Sequence, residues 1–387
     1  MKTNRHKIKI TLQTPLTIGN DKSDQLSPLC DFIIKGREVI YIDPDKLGRM
    51  VLEKGLMDEF IRESRQVSNT RTNFQLEQFI KNGLGTDPEK LMLNKFQIRG
   101  RPDRRMYIRP MLKSGGKPYI PGSSIKGAVK TAILYNWLSS SGTGKSKLTA
   151  IIGKIRSSNT PDRQLALTIK ISLDELVSDL FGKLTARGDS HHDFFCLQFS
   201  DSELLSSEDM VISEVSRLHL VKTNLGIPQY LETLQERTSS DFDLTLVPVI
   251  KHRDLDFLNH GIENLWSVLN NFSKKSVDTD WDILDSHADK FDKDDESRNI
   301  YNALFDFYEK LSGKIGSDRK IAYLRLGFGK TYFDNSLGLA IYDESPDIFM
   351  KYVKLLSLGK PRQKEFPVTR TVCTNPLIPM GWTTLQF

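Results

Sequence analysis

The chain has 387 residues, of which 38% are hydrophobic and 27% charged, and its formal net charge is +6. This composition is ordinary for a globular protein with one large core or two smaller ones, and it excludes a chain that is disordered over most of its length. No apolar run approaches the roughly 20 residues that span a membrane, and the N-terminus lacks the apolar core of a signal peptide, so we expect a cytoplasmic protein without membrane contact. The cysteines, Cys30, Cys196 and Cys373, lie far apart and form no metal-binding pair, and we expect no cofactor.

The first part of the chain predicts strands followed by a helix. His6–Leu12 alternates between polar and apolar residues, as a half-buried strand does, and a strand pair is predicted at Asp31–Ile34 and Glu38–Ile42. Asp43-Pro44 then opens a helix that is expected to run to about Ile61, with Pro44 where its missing N–H costs nothing.

The segment from Pro118 to Trp137, P-Y-I-P-G-S-S-I-K-G-A-V-K-T-A-I-L-Y-N-W, is the most informative. Pro121 and Gly122 stop an extended stretch, and Ser123 or Ser124 is expected to cap the helix that follows. Apolar or small residues then recur at the spacing of one buried helical face: Ile125, Ala128, Val129, Ala132 and Ile133. Lys126 and Lys130 lie on the other side, close to a helix start that favours anions, so the segment predicts a phosphate site. An ordinary capped helix with solvated lysines is the alternative.

Positive charge is concentrated just before and within this helix. The segment from Lys95 to Lys130, called the basic strip below, carries a net charge of +9 and leaves the rest of the chain at −3. Only Asp103 opposes ten cations: Lys95, Arg99, Arg101, Arg104, Arg105, Arg109, Lys113, Lys117, Lys126 and Lys130. With Phe96, Tyr107 and Tyr119 interleaved, the strip is suited to backbone contacts and base stacking on a single-stranded nucleic acid. A solvated loop is the alternative.

The rest of the chain alternates between a few scattered strands and longer helices, which indicates an α+β fold. Ser139–Lys147 has the composition of a flexible surface loop, and the acidic stretch Asp278–Glu296 reads as a solvated face or loop. Strands are expected at Phe194–Phe199, Phe242–Val249 and Ile321–Leu326, and helices at about Phe257–Ser273 and Ser297–Leu311.

Several segments imitate catalytic or metal-binding motifs but do not meet their requirements. Gly142–Ser146 and Gly327–Thr331 resemble a P-loop, but neither has the first glycine at the required spacing. Adjacent His191 and His192 would point to opposite sides of an extended chain, which disfavours a shared zinc site. Two further candidates are also set aside: a calcium loop at Asp278, Asp280 and Asp282, and a catalytic base at His219 or His252, which has no recognisable partner residue.

Taken together, the motifs resemble the RAMP superfamily of CRISPR-associated proteins, and within it the family of fifth subunits of type III-A (Csm) effector complexes. The most specific match is Tyr119–Ala128, Y-I-P-G-S-S-I-K-G-A, which is close to the superfamily's helix signature throughout. The other matches, in chain order, are Thr14–Gly19, Leu180–Gly182, Phe199–Asp201, Glu232 with Phe242, and Leu326–Lys330. The subunit family is indicated by Asp31–Phe60, Phe366–Arg370 and Pro379–Trp382.

The resemblance implies a ferredoxin-like, RRM-related fold, expected here as two such domains. The first, residues 1–215, would carry the basic strip and the P-G-S-S helix. The second, residues 216–387, would carry a helical insertion at about 250–315 and the glycine-rich loop. In the superfamily, the helix and the glycine-rich loop approach the guide RNA, which gives the phosphate site a ligand.

The resemblance also implies a non-catalytic subunit that caps the complex at the 3′ end of the guide RNA and is needed for guide RNA maturation in antiviral defence. Its partners would be guide RNA, related RAMP backbone subunits, the small helical subunit and a host maturation nuclease. The residues expected to bind RNA are Gly122, Ser123, Ser124, Lys126, Lys130, Arg99, Arg101, Arg104, Arg105, Arg109, Gly327, Phe328, Gly329 and Lys330. No catalytic residue or metal is expected.

Two alternatives remain open at the level of sequence. One is a metal-independent RAMP endoribonuclease that processes precursor guide RNA, with His219 or His191 as its base. The other is a structural cap that touches only neighbouring protein subunits. In the related backbone subunit that cleaves target RNA, the cleaving aspartate lies in a loop after the first strand. This chain has three aspartates after Gly19, namely Asp21, Asp24 and Asp31, and the sequence leaves open whether any of them has that position.

Overall fold

The computed structural model describes residues 4–19, 25–65, 75–157, 163–182, 196–247, 253–360 and 364–387. Its strands are β1 Asn4–Leu12, β2 Phe32–Lys35, β3 Glu38–Ile42, β4 Met92–Arg99, β5 Ile108–Arg109, β6 Lys113–Ser114, β7 Lys117–Pro118, β8 Leu197–Phe199, β9 Met210–His219, β10 Asn224–Leu225, β11 Gln229–Leu234, β12 Ser239–Leu246, β13 Ile321–Arg325, β14 Thr369–Thr374, β15 Leu377–Pro379 and β16 Trp382–Gln386. Its α-helices are α1 Pro44–Glu53, α2 Met57–Arg65, α3 Leu76–Gln78, α4 Gly122–Ser140, α5 Gly142–Arg156, α6 Arg163–Phe181, α7 Ile262–Asp285, α8 Ala288–Phe291, α9 Asp295–Lys314, α10 Tyr332–Asn335, α11 Gly338–Glu344 and α12 Pro346–Leu355. A π-helix at Phe79–Gly83 and 3₁₀ helices at Pro88–Leu91, Ser207–Asp209 and Arg253–His260 complete the list. The α+β prediction is confirmed.

The first large sheet is antiparallel and has the strand order β13-β16-β1-β12-β8. Its middle strand, β1, confirms the alternating pattern, because Ile8, Ile10 and Leu12 are buried whereas Lys7 and Lys9 are exposed. The apolar face of α4 belongs to the same hydrophobic core as these β1 residues, and it includes all the predicted apolar positions as well as Leu134, Tyr135, Trp137 and Leu138 farther along the helix. The helix is therefore fixed against the sheet by burial of that face.

The second large sheet has the order β15-β14-β9-β4-β3-β2, and β11 pairs with β9 on its other side. The predicted strand pair appears as the antiparallel hairpin of β2 and β3, and β4, which opens the basic strip, lies between β3 and β9. The expected domain boundary at 215/216 falls inside β9, and both large sheets contain strands from either side of it. The division into two domains stays a prediction.

Two local expectations are corrected by the structure. The helix expected from Pro44 to Ile61 is two helices, α1 and α2, separated near Gly55, which has a φ of +67° that favours glycine. The flexible loop expected at Ser139–Lys147 is instead the end of α4 and the start of α5. Ser141 accepts a hydrogen bond from the Gly144 N–H at 3.2 Å and caps α5, so a residue expected to signal a loop here starts a helix.

The helices expected within about residues 250–315 are present, with α7 and α9 as the long ones, and their assignment to an insertion stays a prediction. Trp266 and Asn270 on α7 donate hydrogen bonds to the carbonyls of Lys320 and Ile321, and the side chain of Asn270 also accepts from the N–H of Tyr323. These bonds hold α7 along β13 at the edge of the first sheet. Among the residues that the structure describes, no helix combines the length and apolar character needed to cross a membrane.

Candidate nucleic-acid interface

The start of α4 is capped by a residue from elsewhere in the chain. Pro121 is the N-cap residue, and neither Ser123 nor Ser124 caps the helix, so that prediction was wrong. The N–H of Gly122 donates to Asp201 Oδ1 at 2.8 Å. Asp201 follows β8, whose end lies beside the helix start, and its carboxylate compensates the positive end of the helix dipole. A phosphate at this end would therefore have to lie beside a carboxylate that already occupies one anion-binding position.

Gly122 is needed for this close approach between the helix and β8. A Cβ on Gly122 would lie 2.5 Å from the carbonyl oxygens of both Phe199 and Ser200. Since two backbone segments cannot approach so closely across a methyl group, the glycine of the P-G-S-S motif has a packing role within the chain.

We expect Gly122→Ala to lower the free energy of unfolding by about 1–3 kcal/mol, as overpacking does. Gly127 lies in the same helix and has open space around its Cβ position, so Gly127→Ala should instead raise it by about 0.5–1 kcal/mol. Denaturant unfolding of both variants measures the difference, and equal stability of the two would contradict the packing role.

Lys126 and Lys130 lie on the partly exposed face of α4, as the spacing predicts. The Nζ of Lys130 lies 5.4 Å from the centre of the Phe181 ring, the last residue of α6. Partial burial lowers the pKa of Lys130, and the nearby charge of Lys126 lowers it further. The two lysines therefore form a local concentration of positive charge on one side of the helix.

The basic strip is less positive in three dimensions than in the sequence. Three of its cations pair with carboxylates from elsewhere: Lys95 with Glu38, Arg99 with Glu236, and Lys113 with Glu232. Within the described part of the chain, four arginines of the strip form no ion pair, and they are Arg101, Arg104, Arg105 and Arg109. Arg101, Arg104 and Arg105 are exposed and Arg109 is half-buried. The charge available to a ligand is concentrated in the loop from Gly100 to Tyr107.

The aromatic residues of the strip differ in exposure. Phe96 is only 3% exposed and its ring centre lies 5.0 Å from that of Tyr41, so the expectation that it stacks on a base was wrong. Tyr107 is 46% exposed and Tyr119 is half-buried. Phe96 lies on the face of β4 that points into the core, whereas Tyr107 and Tyr119 lie outside the strands.

Glu232 is a buried acceptor that the sequence marked only through the resemblance. It is fully buried and accepts hydrogen bonds from the Tyr41 hydroxyl, the Met111 N–H and the Lys113 ammonium. Burial, together with the Glu232 carboxylate, raises the pKa of Tyr41 well above its usual value. This network fixes residues 111–113, which lead into the β6–β7 hairpin and then into α4.

The glycine-rich loop, residues 326–330, is packed against the rest of the chain. Gly327 and Gly329 have φ values of +66° and +103°, and a Cβ on Gly327 would lie 2.2 Å from the carbonyl oxygen of Thr17. The N–H of Phe328 donates to that same oxygen at 2.9 Å. Both glycines thus meet requirements within the chain, and their approach to RNA stays a prediction.

The two side chains expected to serve RNA from this loop are half-buried. Phe328 packs beside a small cluster that includes Cys373 and Met380. Burial lowers the pKa of Lys330, an effect that the Asp334 carboxylate opposes. The loop contacts residues 16–18 and 380–381, whereas the start of α4 contacts residues 199–201, so different segments of the chain support the two candidate RNA elements.

A buried ionic cluster includes the residue before the glycine-rich loop, Arg325, and was not predicted from the sequence. Asp280, Asp334, Arg325 and Arg370 are each at most 3% exposed. Arg325 Nη1 lies 3.1 Å from Asp334 Oδ2 and 3.4 Å from Asp280 Oδ2, and Arg370 Nη2 lies 2.8 Å from Asp280 Oδ1. Asp280 belongs to the acidic stretch that was expected to be solvated, which was wrong for this residue because its face of α7 is turned to the core.

The structure describes only some of the residues that were considered for RNA cleavage or metal binding. Asp21, Asp24, His191, His192 and His252 lie outside the described residues. His219 accepts a hydrogen bond from the Lys222 N–H at 3.3 Å, and burial lowers its pKa. In the described ranges, no group of three or more His, Cys, Asp or Glu side chains is placed to hold a metal ion.

The chain matches a protein-family model and is similar in sequence to a curated protein. A family model described as the RAMP superfamily matches residues 9–333. The chain is 26% identical over 404 aligned positions to the CRISPR system Cms protein Csm5 of Methanocaldococcus jannaschii, which covers 97% of this chain and 87% of that protein.

Two solved structures share the fold over nearly the whole length. One is a chain of the cryo-EM structure of a Csm-crRNA-target RNA ternary complex in a type III-A CRISPR-Cas system, with a TM-score of 0.70, 20% identity and full coverage of both chains. The other is the crystal structure of T. onnurineus Csm5, with a TM-score of 0.64, 19% identity and coverage of 97% of this chain and 99% of that one.

Proposed function

This chain belongs to the RAMP superfamily, and from that premise we propose that it is a non-catalytic, RNA-binding subunit of a type III-A (Csm) effector ribonucleoprotein. The observation that carries the proposal is similarity over the whole length. The Csm5 relative aligns with 97% of the chain, and the chain from the Csm ternary complex superimposes on all of it. A shared module alone would leave one part of the chain unmatched.

Within such a complex, we place the chain at the 3′ end of the guide RNA, where it caps the row of related RAMP subunits and is needed for guide maturation. Its partners are guide RNA, those backbone subunits, the small helical subunit and a maturation nuclease of the host. The relative's name and the content of the solved complex support membership of a Csm complex that contains RNA, whereas the position at the 3′ end and the maturation nuclease follow from the family resemblance.

The RNA-binding surface combines the lysine face of α4, the arginine loop of the basic strip (residues 100–107) and the glycine-rich loop (residues 326–330). Lys126 and Lys130 contribute charge from the helix, and Arg101, Arg104 and Arg105 are exposed and unpaired within the described residues. Phosphates of a single strand are the ligand that such a surface fits, and Tyr107 is the exposed aromatic residue nearest in sequence for stacking on a base.

The proposal is tested by purifying the tagged chain from its own host and identifying what accompanies it. We expect guide-length RNA and several related subunits, identified by RNA sequencing and mass spectrometry. Recovery of the chain with related subunits but without RNA would instead support a structural cap.

We expect the double variant Arg104→Ala/Arg105→Ala to weaken binding of labelled single-stranded RNA and to reduce the slope of log affinity against log salt by about 1.4, or about 0.7 for each lost phosphate contact. Lys95→Ala is the matched control from the same strip, because Lys95 pairs with Glu38. A salt titration by fluorescence anisotropy measures both slopes. The same slope in the double variant and the wild type would remove the arginine loop from the proposed surface.

A cleavage assay tests the endoribonuclease alternative. Incubation with labelled precursor RNA in EDTA should leave the RNA intact. Defined cleavage that disappears in His219→Ala or His191→Ala would support the enzyme and overturn the non-catalytic assignment.

A further inference from the structure

The glycine-rich loop begins and ends at residues that are bound to one buried carboxylate. Asp334 Oδ2 lies 3.1 Å from Nη1 of Arg325, the residue before the loop. The same oxygen accepts from the N–H of Thr331 at 2.7 Å and from its hydroxyl at 3.1 Å, and Thr331 is the residue after the loop. Asp334 is 3% exposed, so these bonds are shielded from water.

The other oxygen of Asp334 and the Nε of Arg325 extend this arrangement to the core. Ser276 on α7 donates to Asp334 Oδ1 at 2.7 Å. The Nε of Arg325 donates to the carbonyl of Met380 at 3.0 Å, and the next residue, Gly381, accepts from the N–H of Leu326 at 2.8 Å. The ends of the loop are therefore tied both to α7 and to the turn before β16.

The bonds between Thr331 and Asp334 form the capping box that starts α10, but the bonds of Asp334 to Arg325 and Ser276 go beyond what a helix start, or the connection from β13 to α10, requires. A short connection between a strand and a helix is normally exposed to water and needs no buried charge. Burying two opposite charges has a desolvation cost that is offset only when the geometry is good and the remaining bonds are made. The Asp334 carboxylate meets that condition, since four donors from three residues surround it.

We propose that Asp334 is the positioning residue of the glycine-rich loop, and that by tying Arg325 to Thr331 it holds Phe328 and Lys330 in the conformation that receives a single-stranded RNA. The inference rests on the proposed function and adds how the loop is prepared for it. Its physical basis is preorganisation: a loop fixed before binding loses less conformational entropy when the RNA arrives. Asp334 itself does not touch the ligand.

The test is a double-mutant cycle on the full chain with labelled single-stranded RNA. Lys330→Ala alone should weaken binding about fivefold at about 0.1 M salt, the effect of one lost phosphate contact with a slope of about 0.7. Asp334→Asn should weaken binding by at least a similar factor in the wild type but by a smaller factor in the Lys330→Ala background, because part of its effect acts through Lys330. A general loss of folded protein would reduce binding equally in both backgrounds.

The outcomes separate the two proposals. If Lys330→Ala leaves binding unchanged, the loop is not part of the RNA surface, and both the loop's place in the proposed function and the positioning role are overturned. If Lys330→Ala weakens binding and Asp334→Asn does not, only the positioning role fails.

Amide hydrogen exchange supplies a readout that does not depend on RNA. In Asp334→Asn the Phe328 amide, which donates to Thr17, should exchange faster, whereas the amides of Ile8 and Ile10 in β1 should keep their wild-type rates. Unchanged exchange at Phe328 would overturn the inference. Should Asp334→Asn fail to fold, Thr331→Val takes its place in both measurements, with a smaller expected effect. It removes the hydroxyl that donates to Asp334 Oδ2 and accepts from the Asp334 N–H at the start of α10, but keeps the Asp334 carboxylate and its bond to Arg325.

Discussion

Reversing the charge of Lys126 and Lys330 together, as Lys126→Glu/Lys330→Glu, is expected to weaken binding of single-stranded RNA about 25-fold at about 0.1 M salt. Each lost phosphate contact reduces the slope of log affinity against log salt by about 0.7. Between about 1 M and about 0.1 M salt, a tenfold difference, two lost contacts therefore lower the affinity by a factor of about 25. If about four phosphates are bound in the wild type, the slope should change from about −2.8 to about −1.4.

Fluorescence anisotropy across a salt titration measures this change, and retention of guide RNA in the assembled complex provides a second readout. Lys145→Glu is the matched control, because Lys145 is exposed near the start of α5 and outside the proposed surface. Equal slopes for the double reversal and for the control would exclude Lys126 and Lys330 from the RNA surface. A loss in both would point to net charge as the cause.

Removing Asp280 is expected to have the largest effect on stability. Asp280→Ala would leave Arg370 and part of the charge of Arg325 buried without their counter-charge, and breaking a buried pair in this way costs about 3–5 kcal/mol of unfolding free energy. The exposed pair of Asp292 with Arg298 supplies the control, since Asp292→Ala should leave stability nearly unchanged. Denaturant unfolding measures both.

A second variant distinguishes lost charge balance from lost packing. Replacing both partners, as Asp280→Asn/Arg370→Gln, removes one positive and one negative charge and should restore part of the stability that Asp280→Asn alone loses. If the two substitutions instead add, the buried charges are not coupled and the cluster stabilises the fold through shape alone.

Several features of the fold follow from local sequence patterns. The period of two in β1 and the helical spacing of Ile125, Val129 and Ile133 in α4 identified the buried faces of both elements. These predictions succeeded because a pattern within a few residues decides which side of a strand or helix is apolar. The loop expected at Ser139–Lys147 failed for a related reason: serine and glycine favour both loops and helix starts, and the packing of Gly144 against Trp137 distinguished them.

The candidate site was predicted less completely. The sequence predicted that Lys126, Lys130 and the arginines of the basic strip bind RNA. It could not show that Arg99 is paired with Glu236. Nor could it show that Asp201 caps α4, because the two residues joined by that bond lie 79 positions apart. Asp280 was assigned to a solvated acidic stretch, since local charge density does not reveal which face of a helix is turned to the core.

By itself, the sequence determined the α+β class, the buried faces of β1 and α4, the excess of positive charge before α4, and the resemblance to the RAMP superfamily that the family match confirms. The tertiary structure alone decided which of those charges stay available, what caps the helix, and what holds the glycine-rich loop. The reason is physical: period and composition act between near neighbours, whereas neutralisation and burial depend on residues that meet only when the two sheets and α7 have assembled.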